Sequence, residues 1–146
     1  VLTASGEIVE RKRDELVFAY RESSLDELVI LSAQFQLERD DPEELTKRMQ
    51  KQWIVKKANQ PLGHQSAGCI FKNPATCPAG KLVHELGLKG TRIGGAVISD
   101  VHGNFIVNDG SATARDVLNL IEVIRERVRA ARGIELETEV EILGDG

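Results

Sequence analysis

From about residue 113 to residue 132 the sequence leaves little freedom. Val117, Ile121, Ile124 and Val128 recur there at helical spacing, Leu118 and Leu120 widen the stripe, and Gly133 stops it. A helix with one apolar face must lie against another layer. Strand-like material stands on both sides of it. Residues 96–99 and 104–107 predict a strand pair around Asp100-Val101-His102-Gly103, and residues 134–143 alternate apolar and acidic side chains as a last strand. The expected class is α+β.

Upstream the pattern is more broken. Residues 1–4 and 8–13 read as two arms of a hairpin around Ser5-Gly6-Glu7, and such a hairpin normally belongs to a larger sheet. Val29, Leu31, Ala33, Phe35 and Leu37 then alternate in period two and predict a strand over residues 27–37. Asp40-Asp41-Pro42-Glu43-Glu44 starts a helix, with an acidic cap, proline in the first turn and carboxylates favoured by the helix dipole. It should run to about Ala58. Its stripe of Leu45, Met49 and Trp53 is expected to be core, and Lys47, Arg48, Lys51, Lys56 and Lys57 form a basic face. Asn59-Gln60-Pro61-Leu62-Gly63 breaks the helix, and residues 79–86 predict a short one stopped by Gly87.

With 146 residues the chain is one compact domain, or one and a fraction. The formal charge of -4 leaves no basic footprint for nucleic acid or anionic lipid. The longest apolar run, residues 28–33, contains a serine and is far too short to span a bilayer. No signal peptide opens the sequence, which begins Val1-Leu2-Thr3 as if cut from something longer. Cys69 and Cys77 form neither a CxxC pair nor a disulfide framework, so a reducing compartment, by default the cytoplasm, is expected.

Chemistry concentrates in Ser66-Ala67-Gly68-Cys69-Ile70-Phe71-Lys72-Asn73-Pro74. Small residues bring the backbone close to something, then a thiol, an ammonium and a carboxamide come within five positions. If the segment is extended, Cys69, Phe71 and Asn73 share a face. The plain alternative is a tight turn into a strand with Cys69 buried. His64, Cys69, Cys77 and His84 match no structural zinc spacing, so no metal is expected. The glycine-rich run over residues 88–96 has neither the dinucleotide fingerprint nor the P-loop spacing.

Several segments together resemble one family, the UDP-N-acetylenolpyruvoylglucosamine reductases of peptidoglycan precursor synthesis. The matching segments are Phe18-Ala19-Tyr20-Arg21-Glu22-Ser23, Gln60-Pro61-Leu62-Gly63, the Ser66 to Pro74 stretch and Ala79-Gly80-Lys81-Leu82. Further on come Gly87-Leu88-Lys89-Gly90, Arg92-Ile93-Gly94-Gly95-Ala96, His102-Gly103-Asn104-Phe105-Ile106-Val107-Asn108, Ala112-Thr113-Ala114-Arg115-Asp116-Val117 and Leu136-Glu137-Thr138-Glu139-Val140. The resemblance implies an FAD- and NADPH-dependent reduction of UDP-N-acetylglucosamine enolpyruvate to UDP-N-acetylmuramate. By resemblance Arg21 is the cation for the developing enolate, Glu139 a carboxyl near it, and Cys69 the proton donor where the family usually has serine. A thiol, with a reference pKa of about 8.5, is still mostly protonated at neutral pH. Tyr20, Asn73, Lys89 and His102 fall at substrate-contacting positions, and Ser66 and Gly68 are the expected cofactor contacts within this chain.

The family's N-terminal half, which carries most of the FAD surface, has no counterpart here. The resemblance therefore implies a C-terminal half of the shorter subtype. Residues 1–64 would be the tail of a flavin-binding sheet domain with a connecting helix, and residues 65–146 a small substrate-binding domain with a returning last strand. Two alternatives stay open: a non-catalytic UDP-sugar-binding module, and an inactive truncation.

Overall fold

A computed structural model describes residues 1–144. The chain divides into two compact units, Val1–Glu44 and the part from Leu45 onward. The described residues form three α-helices and two antiparallel sheets, an α+β protein.

In the first unit, Leu2 bridges both Ile8 and Val29, and Thr3 closes a tight turn with Gly6 and Glu7. The hairpin expected over residues 1–13 is thus a turn with single bridges, and its second arm gives way to a 3-10 turn at Arg13–Glu15. Two short strands come next, β1 (Phe18–Ala19) and β2 (Glu22–Ser23), with Tyr20 and Arg21 as the loop between them.

The strand expected over residues 27–37 does not form. Among the described residues only Val29 makes a bridge there, and Phe35 and Leu37 are 76% and 85% exposed. Alternation prepares two faces, but a strand exists only when a neighbour takes up its backbone groups.

Helix α1 (Pro42–Asn59) lies where its start signals put it. Asp41 Oδ1 accepts the N–H groups of Glu43 at 2.8 Å and Glu44 at 3.0 Å, satisfying two donors of the first turn. Its stripe departs from expectation: α1 has no buried residue, and Leu45, Met49 and Trp53 are all exposed.

The core belongs to the second unit. Strands β3 (Gln65–Cys69), β4 (Arg92–Ile93), β5 (Ala96–Ile98) and β6 (Phe105–Asn108) form one antiparallel sheet in the order β3-β6-β5-β4. Helix α2 (Ala79–Glu85) and helix α3 (Ala114–Arg132) cover it. Leu120, Ile121, Ile124 and Val128 of α3 are buried against Ile98 and Ile106 of the sheet and Leu82 and Val83 of α2. Each such side chain contributes on the order of 1.5–3 kcal/mol over an exposed one. The α3 prediction therefore holds in both extent and buried face. Thr113 caps its start, and Gly133 succeeds its last turn in the left-handed conformation.

The last strand, expected over residues 134–143, shrinks to one bridge between Thr138 and Phe71. Even so, Lys72 N–H reaches Glu137 C=O at 2.9 Å and Glu139 N–H reaches Ile70 C=O at 2.8 Å. The segment lies alongside the chain just beyond β3 and tucks Leu136 into the core.

Candidate functional site

The central stretch owes its shape to a bulge. Ser66 pairs with Val107 and Cys69 with Phe105, so three steps along β3 pass against two along β6. One extra residue is accommodated where Gly68 takes φ +84°, a conformation costly for any residue with a Cβ. The bulge re-aims the residues after it. Cys69 is half-buried, Ile70 and Phe71 go into the core, and Asn73 is exposed. Cys69, Phe71 and Asn73, expected to share a face, thus differ sharply in burial. Cys69 and Cys77 are free thiols.

Beside the start of β3 lies a cleft of about 390 Å³, lined by Ser66 and Ala67, by Ile106 and Asn108 of β6, and by Thr113 and Val117 at the α3 end. Of the expected cofactor contacts, Ser66 lines this cleft. Gly68 has open space where a Cβ would project, with no atom within 4 Å. Small side chains at Ser66 and Ala67 and the open space at Gly68 leave room for part of a ligand against the strand. They offer no surface for a whole dinucleotide, so the fit to FAD is partial.

Lys89 and His102 are brought to one loop. Lys89 Nζ donates to the carbonyls of Asp100 at 3.0 Å and Val101 at 3.5 Å, a pinning that backbone oxygens provide without a counter-charge. His102 Nδ1 accepts the N–H of Asn104 at 3.1 Å, which leaves the neutral ring's proton on Nε2. Its ring meets Phe105 edge-on, 4.9 Å between centroids. Burial first, and the nearby Lys89 ammonium second, hold His102 below its ordinary pKa. Gly80 packs closely here: a Cβ there would stand 3.0 Å from His102 Cε1 and 3.3 Å from Asn104 N, so these neighbours would have to give by a few tenths of an ångström.

Asn73 Oδ1 accepts the N–H of Ala79 at 3.0 Å, so this carboxamide supports the start of α2. Glu139 is half-buried, and its backbone is held one residue from Cys69 through Ile70. Lys72 pairs with Glu137, and Arg92 with Asp109 at 2.7 Å. Both pairs are structural ties of the kind that contribute little individually at a surface. Among the described residues, no group of three or more His, Cys, Asp or Glu side chains gathers where a metal could sit.

Tyr20 and Arg21 belong to the first unit. Arg21 has φ +61° and is the one non-glycine residue with positive φ among those described. Its guanidinium lies 5.8 Å from the Tyr20 ring centroid. Such a conformation costs on the order of 1–2 kcal/mol, and it tends to persist where a side chain is needed at that spot.

One residue of the site was missed in the sequence. Asn104 is 2% exposed, and its carboxamide accepts from Phe71 N–H at 2.9 Å and donates to Phe71 C=O at 2.8 Å. Its place two positions after His102 in a matching segment was the available signal.

The family model for UDP-N-acetylenolpyruvoylglucosamine reductase, C-terminal domain, matches residues 60–143. The chain belongs to that family. Reductases of this name from Bacillus pumilus and Syntrophus aciditrophicus are 44% and 47% identical to it over 99% of its length, covering 49% and 47% of their own. The crystal structure of the Thermus caldophilus reductase matches 73% of the chain, and 37% of that protein, with a TM-score of 0.60 at 44% identity. The chain thus spans about half the length of these curated relatives.

Proposed function

We propose that this chain is the C-terminal part of a cytoplasmic, NADPH-linked flavoprotein reductase. The intact protein would convert UDP-N-acetylglucosamine enolpyruvate to UDP-N-acetylmuramate for peptidoglycan. The observation that carries the reading is the family match, and it is supported by the β3 bulge, which places half-buried Cys69 three residues along the strand from Ser66 at the cleft. Residues 1–64 are assigned to the tail of the second FAD-binding domain with its connecting helix, and residues 65–146 to the substrate domain. The missing N-terminal half would supply most of the FAD surface.

Ser66 and Gly68 would hold the edge of the flavin, which when bound supplies the hydride for the vinyl carbon. The other tasks fall to side chains of this chain. Cys69 delivers its thiol proton to the carbon next to the carboxylate. Arg21 faces the carboxylate with a fork of donors and offsets the charge developing on the enolate. Glu139, on the segment tied to Ile70, is the carboxyl placed near that charge. Lys89 holds the diphosphate, and Tyr20, Asn73 and His102 contact the rest of the substrate.

The test is to mix the chain with the first half of a relative, add FAD, and monitor NADPH consumption that depends on the enolpyruvyl substrate. Turnover is expected in the mixture, with Cys69→Ala lowering it by roughly 10²–10⁴-fold and Cys69→Ser by less. The chain alone is expected neither to hold FAD tightly nor to turn over. Saturable UDP-sugar binding with no flavin reduction in the mixture would instead make it a binding module, and full activity in Cys69→Ala would remove the thiol from the mechanism.

A further inference from the structure

Downstream of the bulge, the strand that carries Cys69 loses its neighbour. The β3–β6 ladder ends at the Cys69–Phe105 pair. Beyond it, Ile70 N–H donates to the backbone carbonyl of Asn104 at 2.9 Å. Both polar groups of Phe71, itself 2% exposed, are then taken up by the Asn104 carboxamide. A primary amide carries a donor and an acceptor side by side, as a peptide does, so one side chain stands in for the strand that is no longer there. On the opposite edge, Ile70 C=O and Lys72 N–H are held by the backbone of Glu139 and Glu137. The peptide after Cys69 is clamped from both sides.

We propose that Asn104 is a positioning residue for Cys69, fixing by its three hydrogen bonds to Ile70 and Phe71 the backbone from which the thiol projects. The same residue reaches two other members of the site. Its N–H is the donor that orients the His102 ring, and Ile70, which it holds, is also the anchor of Glu139. Without the carboxamide, two buried backbone groups of Phe71 would lose their partners, and the segment could recover them only by moving. Movement there displaces Cys69, and a proton donor a fraction of an ångström out of line delivers poorly. The inference rests on the reading of Cys69 as proton donor, but its test uses neither flavin nor turnover, so the two can fail separately.

The probe is iodoacetamide alkylation of this chain between about pH 6 and 10, where thiols ionise, with each cysteine tracked by peptide mass. Asn104→Leu keeps the side chain's bulk without donor or acceptor, and Asn104→Ser retains one hydroxyl. Cys77 is the internal control. The expected result is a change of about fivefold or more in the rate or pH profile of Cys69 in Asn104→Leu, the scale of one hydrogen bond. A smaller change is expected in Asn104→Ser, with Cys77 constant in both. Cys69 unchanged in a folded variant, or both thiols changing together, would overturn the proposal. Should neither variant fold, amide exchange in the parent chain decides: Phe71 N–H must exchange as slowly as Val107 N–H in β6, and rapid exchange would refute the clamp.

Discussion

His102 shows how much a single residue's environment can settle. The ring accepts from Asn104 N–H, meets Phe105 edge-on and lies near Lys89, and its burial and the Lys89 charge together favour the neutral form over an opposing backbone hydrogen bond. Its folded pKa is therefore below the ordinary value of 6.5, with burial the larger cause and Lys89 the second. Stability gains a pH dependence of definite sign. Above 6.5 the folded and unfolded chains bind the same protons, and as pH falls below 6.5 the unfolded state gains a proton that the native ring resists. The contribution is complete at neutral pH and is lost as pH falls toward the folded value. An NMR titration should place the His102 midpoint below 6.5. Lys89→Met should raise it part of the way back, because the burial remains. A midpoint at or above 6.5 in the parent would contradict this geometry. Arg21 carries a different lesson, since its strained backbone is visible only once the chain is folded.

At the scale of elements, the start of α3 is where sequence and packing agree most closely. Thr113 Oγ1 accepts from Asp116 N–H at 3.2 Å, and Asp116 Oδ2 accepts from Thr113 N–H at 2.9 Å, a reciprocal capping box. Hydrogen bonds to the carboxyl, from Thr113 N–H first, then the Thr113 hydroxyl and Gly95 N–H, hold Asp116 below its ordinary range. The β4–β5 turn presses on this same end: a Cβ on Gly95 would lie 2.3 Å from Ala112 N and 2.4 Å from Ser111 C. Thr113→Ala should cost about 1 kcal/mol by thermal or urea unfolding. Gly95→Ala should cost more, on the order of 1–3 kcal/mol, because backbone atoms must give way. Equal effects would mean that the turn yields easily. Helix α1 is the contrary case. Its caps and period are read correctly, yet its Leu45, Met49 and Trp53 stripe stays exposed.

For the whole molecule, the contrast between the units predicts behaviour in solution. The second unit has its own core. The first leaves Ile8, Val17, Leu28, Ile30, Phe35 and Leu37 exposed, and among the described residues of the 27–37 segment only Val29 bridges to another strand-like stretch. Apolar strand-like segments without a neighbour invite association. Light scattering on the purified chain should give a mass above 16.1 kDa that rises with concentration. The first half of a relative should suppress that rise if it covers these segments. A strict monomer at all concentrations would show that the exposed segments do not associate.

Local spacing was enough to read the starts and stops of all three helices, the β5–β6 pair and the buried face of α3. It also singled out Ser66 to Pro74, where small residues, a thiol and a carboxamide crowd together, as the stretch to weigh as a site, and the family resemblance rather than spacing favoured that reading. The remainder was settled only in the folded chain. Whether residues 27–37 and 134–143 pair, and whether the α1 stripe is covered, depends on neighbours that periodicity does not reveal. The one-residue bulge at Gly68 shifts the register just before Cys69, the last residue of its strand, and the Asn104 clamp joins Ile70 and Phe71 to a residue more than thirty positions away. Contacts of that range arise only once the sheet has assembled, so no local pattern announces them.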